Sequence, residues 1–333
     1  MKKKKEWIIA LRAFACVAVV LGHVIEGWTK SANITLTGGR FVLDEVIFQP
    51  LVRWSIIIFI MISGYLLLDP KKDITIDKII QYIKKMLLVF ITFVFGYCVI
   101  EYVFTYGASN IWKVFYMSLF NFIQGKSWAA MWYMYLLIGL YIITPLLRPF
   151  VKNASKREMR FVIYCLAICA YIIPTINNIF SIEITTFYLG GFKYLLLYLS
   201  GYAIANGYFE EKNIYILGII GFISYITLSS FNILVGDNDG IFIVLFSAAV
   251  YSFFANGHYK LKNNKIIELI STDSFGIYLI HTFWLNLFNK AFHIYPDILP
   301  LFFGEMAMLI VTVILSVISV EILKRLPVFK KFL

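Results

Sequence analysis

Residues 7–28 read WIIALRAFACVAVVLGHVIEGW and follow the lysines Lys2, Lys3, Lys4 and Lys5. One helix of roughly 20 apolar residues spans a bilayer, and this stretch has that length, yet it carries an arginine, Arg12, and a histidine, His23. Eleven positions at 100° per residue make three turns and about 20°, so both side chains project from one face, roughly 16 Å apart along the axis. A cation inside a membrane helix is costly and normally faces the protein interior, where it marks a substrate or ion path. The competing reading is that Arg12 snorkels to the headgroups and His23 is a hydrogen-bonded core residue.

The remainder of the chain fits a membrane protein. Of the 333 residues, 61% are hydrophobic and 15% charged, and mean hydropathy is +0.81, far from a soluble domain. Ten apolar runs approach spanning length: 7–28, 41–68, 85–106, 128–147, 160–180, 187–205, 214–231, 240–257, 266–288 and 301–323. Net charge is +11, but its distribution follows topology: inside segments hold 22 lysines and arginines and outside loops hold 5, with Arg12, Arg53 and Lys193 in spans. That bias is the positive-inside rule with both termini cytoplasmic and the segments 69–84, 148–159 and 258–265 inside. The sequence thus predicts an all-α, polytopic integral membrane protein. About ten transmembrane helices form one domain over 1–333, with the lipid bilayer as a partner and no nucleic acid.

Other classes fall away. The basic flank of 7–28 does not make a secretory signal, because the apolar run is too long and no small-residue cleavage site follows. Cys16, Cys98, Cys165 and Cys169 all lie in spans, which supports neither a disulfide framework nor a zinc site, and no metal is expected. Residues 107–127, with Ile111, Trp112, Phe115, Tyr116, Leu119 and Phe120, suit an interfacial helix. His258 and His293 fall in loops, and Asp237 and Asp239 cap a short outer loop.

Rise per residue places the intramembrane polar groups by depth. His23 stands about 27 Å above Lys5, and Arg53, Glu101, Trp132, Tyr133 and His281 each stand about 24 Å from the nearest cytosolic charge. Five spans therefore bring a polar or aromatic group to one layer in the outer half of the membrane. His23, Arg53 and His281 are expected within about 12 Å of one another. Glu26, one turn beyond His23, either orients the imidazole or sits at the outer water interface. Arg12 lies near the inner face, level with Ser63 and Gly64 on the second span. Small residues there permit close helix approach or leave room for a bound chain. The picture is an inner basic mouth, a small-residue neck and an outer polar chamber.

Five segments, in order, resemble the acyltransferase family 3 membrane enzymes: RAFACVAVVLGH (12–23), RWSIIIFIMISGYLLL (53–68), MWYMYLLIGLYIITPLLR (131–148), LLLYLSGYAI (195–204) and SFGIYLIH (274–281). The subgroup they look most similar to is the surface-polysaccharide O-acyltransferases. The resemblance implies an acyl-CoA-dependent O-acyltransferase in a bacterial plasma membrane. Acetyl-CoA or another acyl-CoA is its donor substrate, and it has no permanently bound cofactor. A cell-surface glycan or lipid-linked saccharide is the acceptor. It also implies roles. Arg12 would hold the donor phosphates, with Ser63 and Gly64 flanking the arm. His23 would act as general base or as acylated nucleophile, with Arg53 and Glu26 beside it. Trp132, Tyr133, His281 and Glu101 would face the acceptor. The chain departs from the pattern at Ala130 and Met131, where His-Leu is expected before the Trp-Tyr pair. A polysaccharide exporter or flippase also suits many helices and buried charge, and a non-catalytic subunit of a cell-envelope complex would suit the departure at Ala130.

Overall fold

The computed structural model describes residues 3–32, 38–107, 110–182, 184, 192–231, 240–259, 264–300, 302–327 and 329–331, and no strand occurs among them. The loop holding Asp237 and Asp239 lies outside these residues. The main helices are α1 (Lys3–Ala32), α2 (Val42–Leu68), α3 (Ile76–Phe104), α4 (Ile111–Ile123), α5 (Trp132–Asn153) and α6 (Lys156–Asn177). They continue with α7 (Phe192–Ala205), α8 (Glu211–Ser230), α9 (Ile241–Ala255), α10 (Lys265–Asn286) and α11 (Phe303–Leu323).

Among the described residues seven helices are long and apolar enough to cross a membrane: Glu6–Gly27 within α1, and α2, α3, α5, α6, α8 and α11. The chain is thus a multi-pass, all-helical membrane protein. Of the spans expected at 187–205 and 240–257, the described part of the first is α7, from Phe192 onward, and α9 is 15 residues long. The helix α10 has 22 residues but carries Lys265, Glu268 and Asp273. Helix α4 has 13 residues, too few to cross, and turns Trp112, Phe115 and Tyr116 outward. The expected loop 69–84 is really 69–75: Thr75 accepts a bond from the Lys78 N–H and starts α3 at Ile76, as an N-cap threonine does.

The centre of the bundle is α1, which touches α2, α9, α10 and α11. Its Ala10, Leu11, Ala15 and Val20 are wholly buried. Beside it α2 and α7 approach closely, and the cause is a reciprocal pair of glycines. A Cβ on Gly64 would stand 1.8 Å from the Tyr198 carbonyl oxygen, and one on Gly201 would stand 2.0 Å from that of Met61. Bare backbones at the crossing let the two helices meet, as small residues do between membrane helices. Tyrosine hydroxyls tie neighbours onto this centre: Tyr198 to Thr144 Oγ1 on α5 at 2.8 Å, and Tyr251 of α9 to the Gly201 carbonyl at 3.1 Å. At one end Arg148 of α5 donates to the carbonyls of Leu67 and Lys72, each at 2.6 Å. These bonds satisfy carbonyl groups at and just beyond the end of α2 that the helix leaves open.

Candidate functional site

Helices α1 and α10 run side by side in the same direction, since Arg12 meets Ser274 while His23, further along α1, meets His281. The Arg12 Nη2 donates to Ser274 Oγ at 2.9 Å, and that hydroxyl donates to the Ser271 carbonyl at 2.9 Å. The Ser274 proton is therefore spent on the backbone and its lone pair is presented to the guanidinium. No carboxylate among the described residues lies within ion-pair distance of Arg12. One residue away, Asp273 is buried and paired with Lys324 at the end of α11.

Arg12 lines a cavity of about 230 Å³ bounded also by Cys16, Val19, Ile56, Ser63, Tyr133, Tyr141, Ser274 and Tyr278. At its Leu66 edge sits Lys72, whose ammonium donates to the Leu66 carbonyl at 2.8 Å. Burial lowers the Lys72 pKa from its usual value, with Asp69 opposing and Arg148 reinforcing that shift. A second cavity of about 110 Å³ is lined by His23, Glu26, Gln49, Arg53, Ser55 and Trp132. Val19 and Ile56 belong to the walls of both, so these two side chains are the partition between them. Val19 and Ile56, and not the small residues Ser63 and Gly64, are the residues common to both cavities.

Several expected placements change. Gly64 does not line either cavity; it faces Tyr198 across the α2–α7 crossing, because a missing Cβ is needed there for helix contact. Ser63 does line the inner cavity, while its hydroxyl donates to the Phe59 carbonyl at 2.8 Å. Trp132 and Tyr133 separate, the indole to the outer cavity and the phenol to the inner one, since neighbours on a helix point about 100° apart. Glu101 is drawn away from both cavities by Lys290, at 2.7 and 2.8 Å, and by the Trp128 indole at 2.9 Å. Depth alone had grouped it with His23.

Arg53 is the most enclosed charge of the outer cavity. Its Nε donates to Gln49 Oε1 at 2.9 Å, and Nη2 lies 3.6 Å from Glu26 and 4.0 Å from Glu45. Taking a guanidinium out of water demands such partners. Gln49 and Glu45 were not singled out from sequence, although they precede Arg53 by four and eight residues and so share its stripe. His23 and His281 stand with ring centroids 5.2 Å apart, tilted by 36°. The three groups expected together thus meet around one place: His23 and Arg53 on the cavity wall, His281 directly behind His23. Ser274, also missed, lies seven residues before His281, two turns on the same face of α10.

The arrangement sets a cation with no carboxylate partner among the described residues in one cavity, and an imidazole and a guanidinium in the wall of the adjoining one. No group of three or more histidine, cysteine or acidic side chains among the described residues is placed to hold a metal. Neither a curated protein nor a solved structure matches the chain. A family model described as an acyltransferase domain matches residues 5–321, a range that includes Arg12, His23 and His281. Nearly the whole chain is covered, and it belongs to acyltransferase family 3.

Proposed function

We propose that this membrane acyltransferase takes an acyl group, acetyl by preference, from cytosolic acyl-CoA and gives it to a hydroxyl of an extracytoplasmic glycan or lipid-linked saccharide. About ten helices with both termini inside a bacterial plasma membrane complete the reading, supported by the 22-to-5 bias of basic residues. The observation that carries it is the pair of abutting cavities, with Arg12 in one and His23 in the other. At about 230 Å³ the inner cavity has room for a slender chain and none for a nucleotide. A thioester on a long arm, with its phosphorylated head left at the inner mouth, suits that shape.

Arg12 lacks a carboxylate among the described residues, so its charge is available to donor phosphate, where charge-assisted bonds are strong. The arm passes between Val19 and Ile56 and delivers the acyl carbon beside His23. Neutral imidazole takes the proton of the acceptor hydroxyl as that oxygen attacks the thioester carbon. Arg53 lies where it can steady the developing oxyanion. The carbon–sulfur bond then breaks, and the proton held on His23 passes to the leaving thiolate. Attack by His23 itself, through an acyl-imidazole, uses the same groups.

The test is reconstitution in vesicles with acetyl-CoA labelled in the acetyl group on one side and extracted surface glycan on the other. Thiol release matched by label in the glycan is expected. Glycan crossing the vesicle wall with no thiol released would replace this reading with an exporter.

A further inference from the structure

The His281 ring is wholly buried, and its Nδ1 lies 3.0 Å from the carbonyl oxygen of Ile277, one turn earlier on α10. A carbonyl can only accept, so Nδ1 carries the proton and Nε2 is left as a bare lone pair in the neutral ring. That Nε2 has no hydrogen-bond partner among the described residues. A buried acceptor without a donor is a cost that folded proteins rarely tolerate. The imidazole beside it is that of His23, its ring centroid 5.2 Å away. That is the spacing of two imidazoles when an N–H of one points at a nitrogen of the other, about 3 Å from donor to acceptor.

We infer that His281 is a positioning residue for His23: its fixed Nε2 acceptor receives one N–H of the His23 ring and so keeps the opposite His23 nitrogen unprotonated and turned toward the Arg53 cavity. The inference rests on the acyl-transfer reading above. It assigns the tautomer on which that chemistry depends, because a base must present a lone pair and not a proton to the acceptor hydroxyl. The proton stays on His23 throughout, and His281 takes part only as a hydrogen-bond acceptor. The backbone supports this division of labour. The residues Tyr278 and Leu279 beside His281 are themselves fixed, the Tyr278 hydroxyl on the Ala130 carbonyl and the Leu279 carbonyl under the Tyr97 hydroxyl at 2.6 Å. The ring that must not move is therefore held by α10 and its neighbours, and the ring that reacts is on α1.

The test compares His281→Leu, which removes the acceptor, with His281→Gln, whose amide oxygen reaches the position of Nε2. In the reconstituted transfer assay His281→Leu should lower kcat by about 10²-fold, the lower end of what general-base catalysis contributes, with KM for acetyl-CoA unchanged. His281→Gln should regain much of that loss. Full kcat in His281→Leu, or equal losses in both variants with KM rising alongside, would overturn the proposal. Absence of transfer by the wild-type protein would instead overturn the acyltransferase reading. A measurement on the unaltered pair guards against variants that do not fold. With the exposed His258 and His293 replaced by asparagine, only His23 and His281 remain of the four histidines, and their ¹⁵N resonances report each tautomer. One ring should carry its proton on Nδ1 alone across neutral pH; a protonated Nε2 on His281 would refute the assignment.

Discussion

Replacing Arg12 by alanine separates donor binding from chemistry, and the structure fixes how large the effect should be. Among the described residues the guanidinium makes one hydrogen bond, to Ser274 Oγ at 2.9 Å, and that hydroxyl keeps its own bond to the Ser271 carbonyl when Arg12 is gone. The fold therefore loses about 1 kcal/mol, the net worth of an ordinary hydrogen bond. Donor binding loses more, because a bond to a charged group is worth about 1.5–3 kcal/mol. At 1.4 kcal/mol per decade this weakens the acetyl-CoA Kd roughly 10- to 140-fold. Turnover at saturating donor should change little, since His23 lies about 16 Å away along α1, and sites that far apart act additively to about 0.5 kcal/mol. Arg12→Lys keeps the charge without the planar fork and should recover part of the affinity. Titration calorimetry with acetyl-CoA, beside a thiol-release assay at saturating donor, reads both quantities. An unchanged Kd in Arg12→Ala, or an equal loss of Kd in His23→Ala, would show that the stripe on α1 is structural only.

Gly64→Ala should destabilise the protein in a detergent melt by about 1–3 kcal/mol or more, the usual cost of overpacking, because its Cβ would stand 1.8 Å from a backbone oxygen; an unchanged melt would mean that the α2–α7 crossing is looser than described. Ile56→Trp fills the partition shared by both cavities and should abolish transfer while the acetyl-CoA Kd holds; normal turnover would place the acyl path elsewhere. Single cysteines at positions 73 and 155 should react with impermeant thiol reagent only from the cytosolic side, as the basic-residue bias requires; labelling of either from outside would reverse the topology.

The parts of the site that repeat with the helix were legible in the sequence. Arg12 and His23 could be placed on one face from their spacing, and the same arithmetic would have joined Ser274 to His281 and Glu45 and Gln49 to Arg53. Nothing but that spacing marks them, because a serine, a glutamine and an acid near a span end are ordinary there. Depth could be read from rise per residue, but facing could not. Glu101 has the depth of His23 yet is held by Lys290 and Trp128, and Trp132 and Tyr133 divide between two cavities. Gly64 was read correctly as a small residue that permits close approach, but sequence alone left open whether the approaching group was a ligand or α7. The partition of Val19 and Ile56 was invisible, since aliphatic residues in a span look the same whether they line a channel or a core. The long helices were plain from apolar run length, whereas α9 is shorter than its apolar run.

The central claim is that His23 performs acyl transfer at the outer end of a channel whose inner end is held by Arg12. Its most direct test is a single-turnover reaction of purified wild-type protein and His23→Ala with acetyl-CoA labelled in the acetyl group, in the presence of surface glycan. The account predicts labelled glycan and free thiol from the wild type, and a rate lower by about 10²- to 10⁴-fold in His23→Ala with acetyl-CoA binding intact. Wild-type rates of thiol release and glycan labelling in His23→Ala would contradict it.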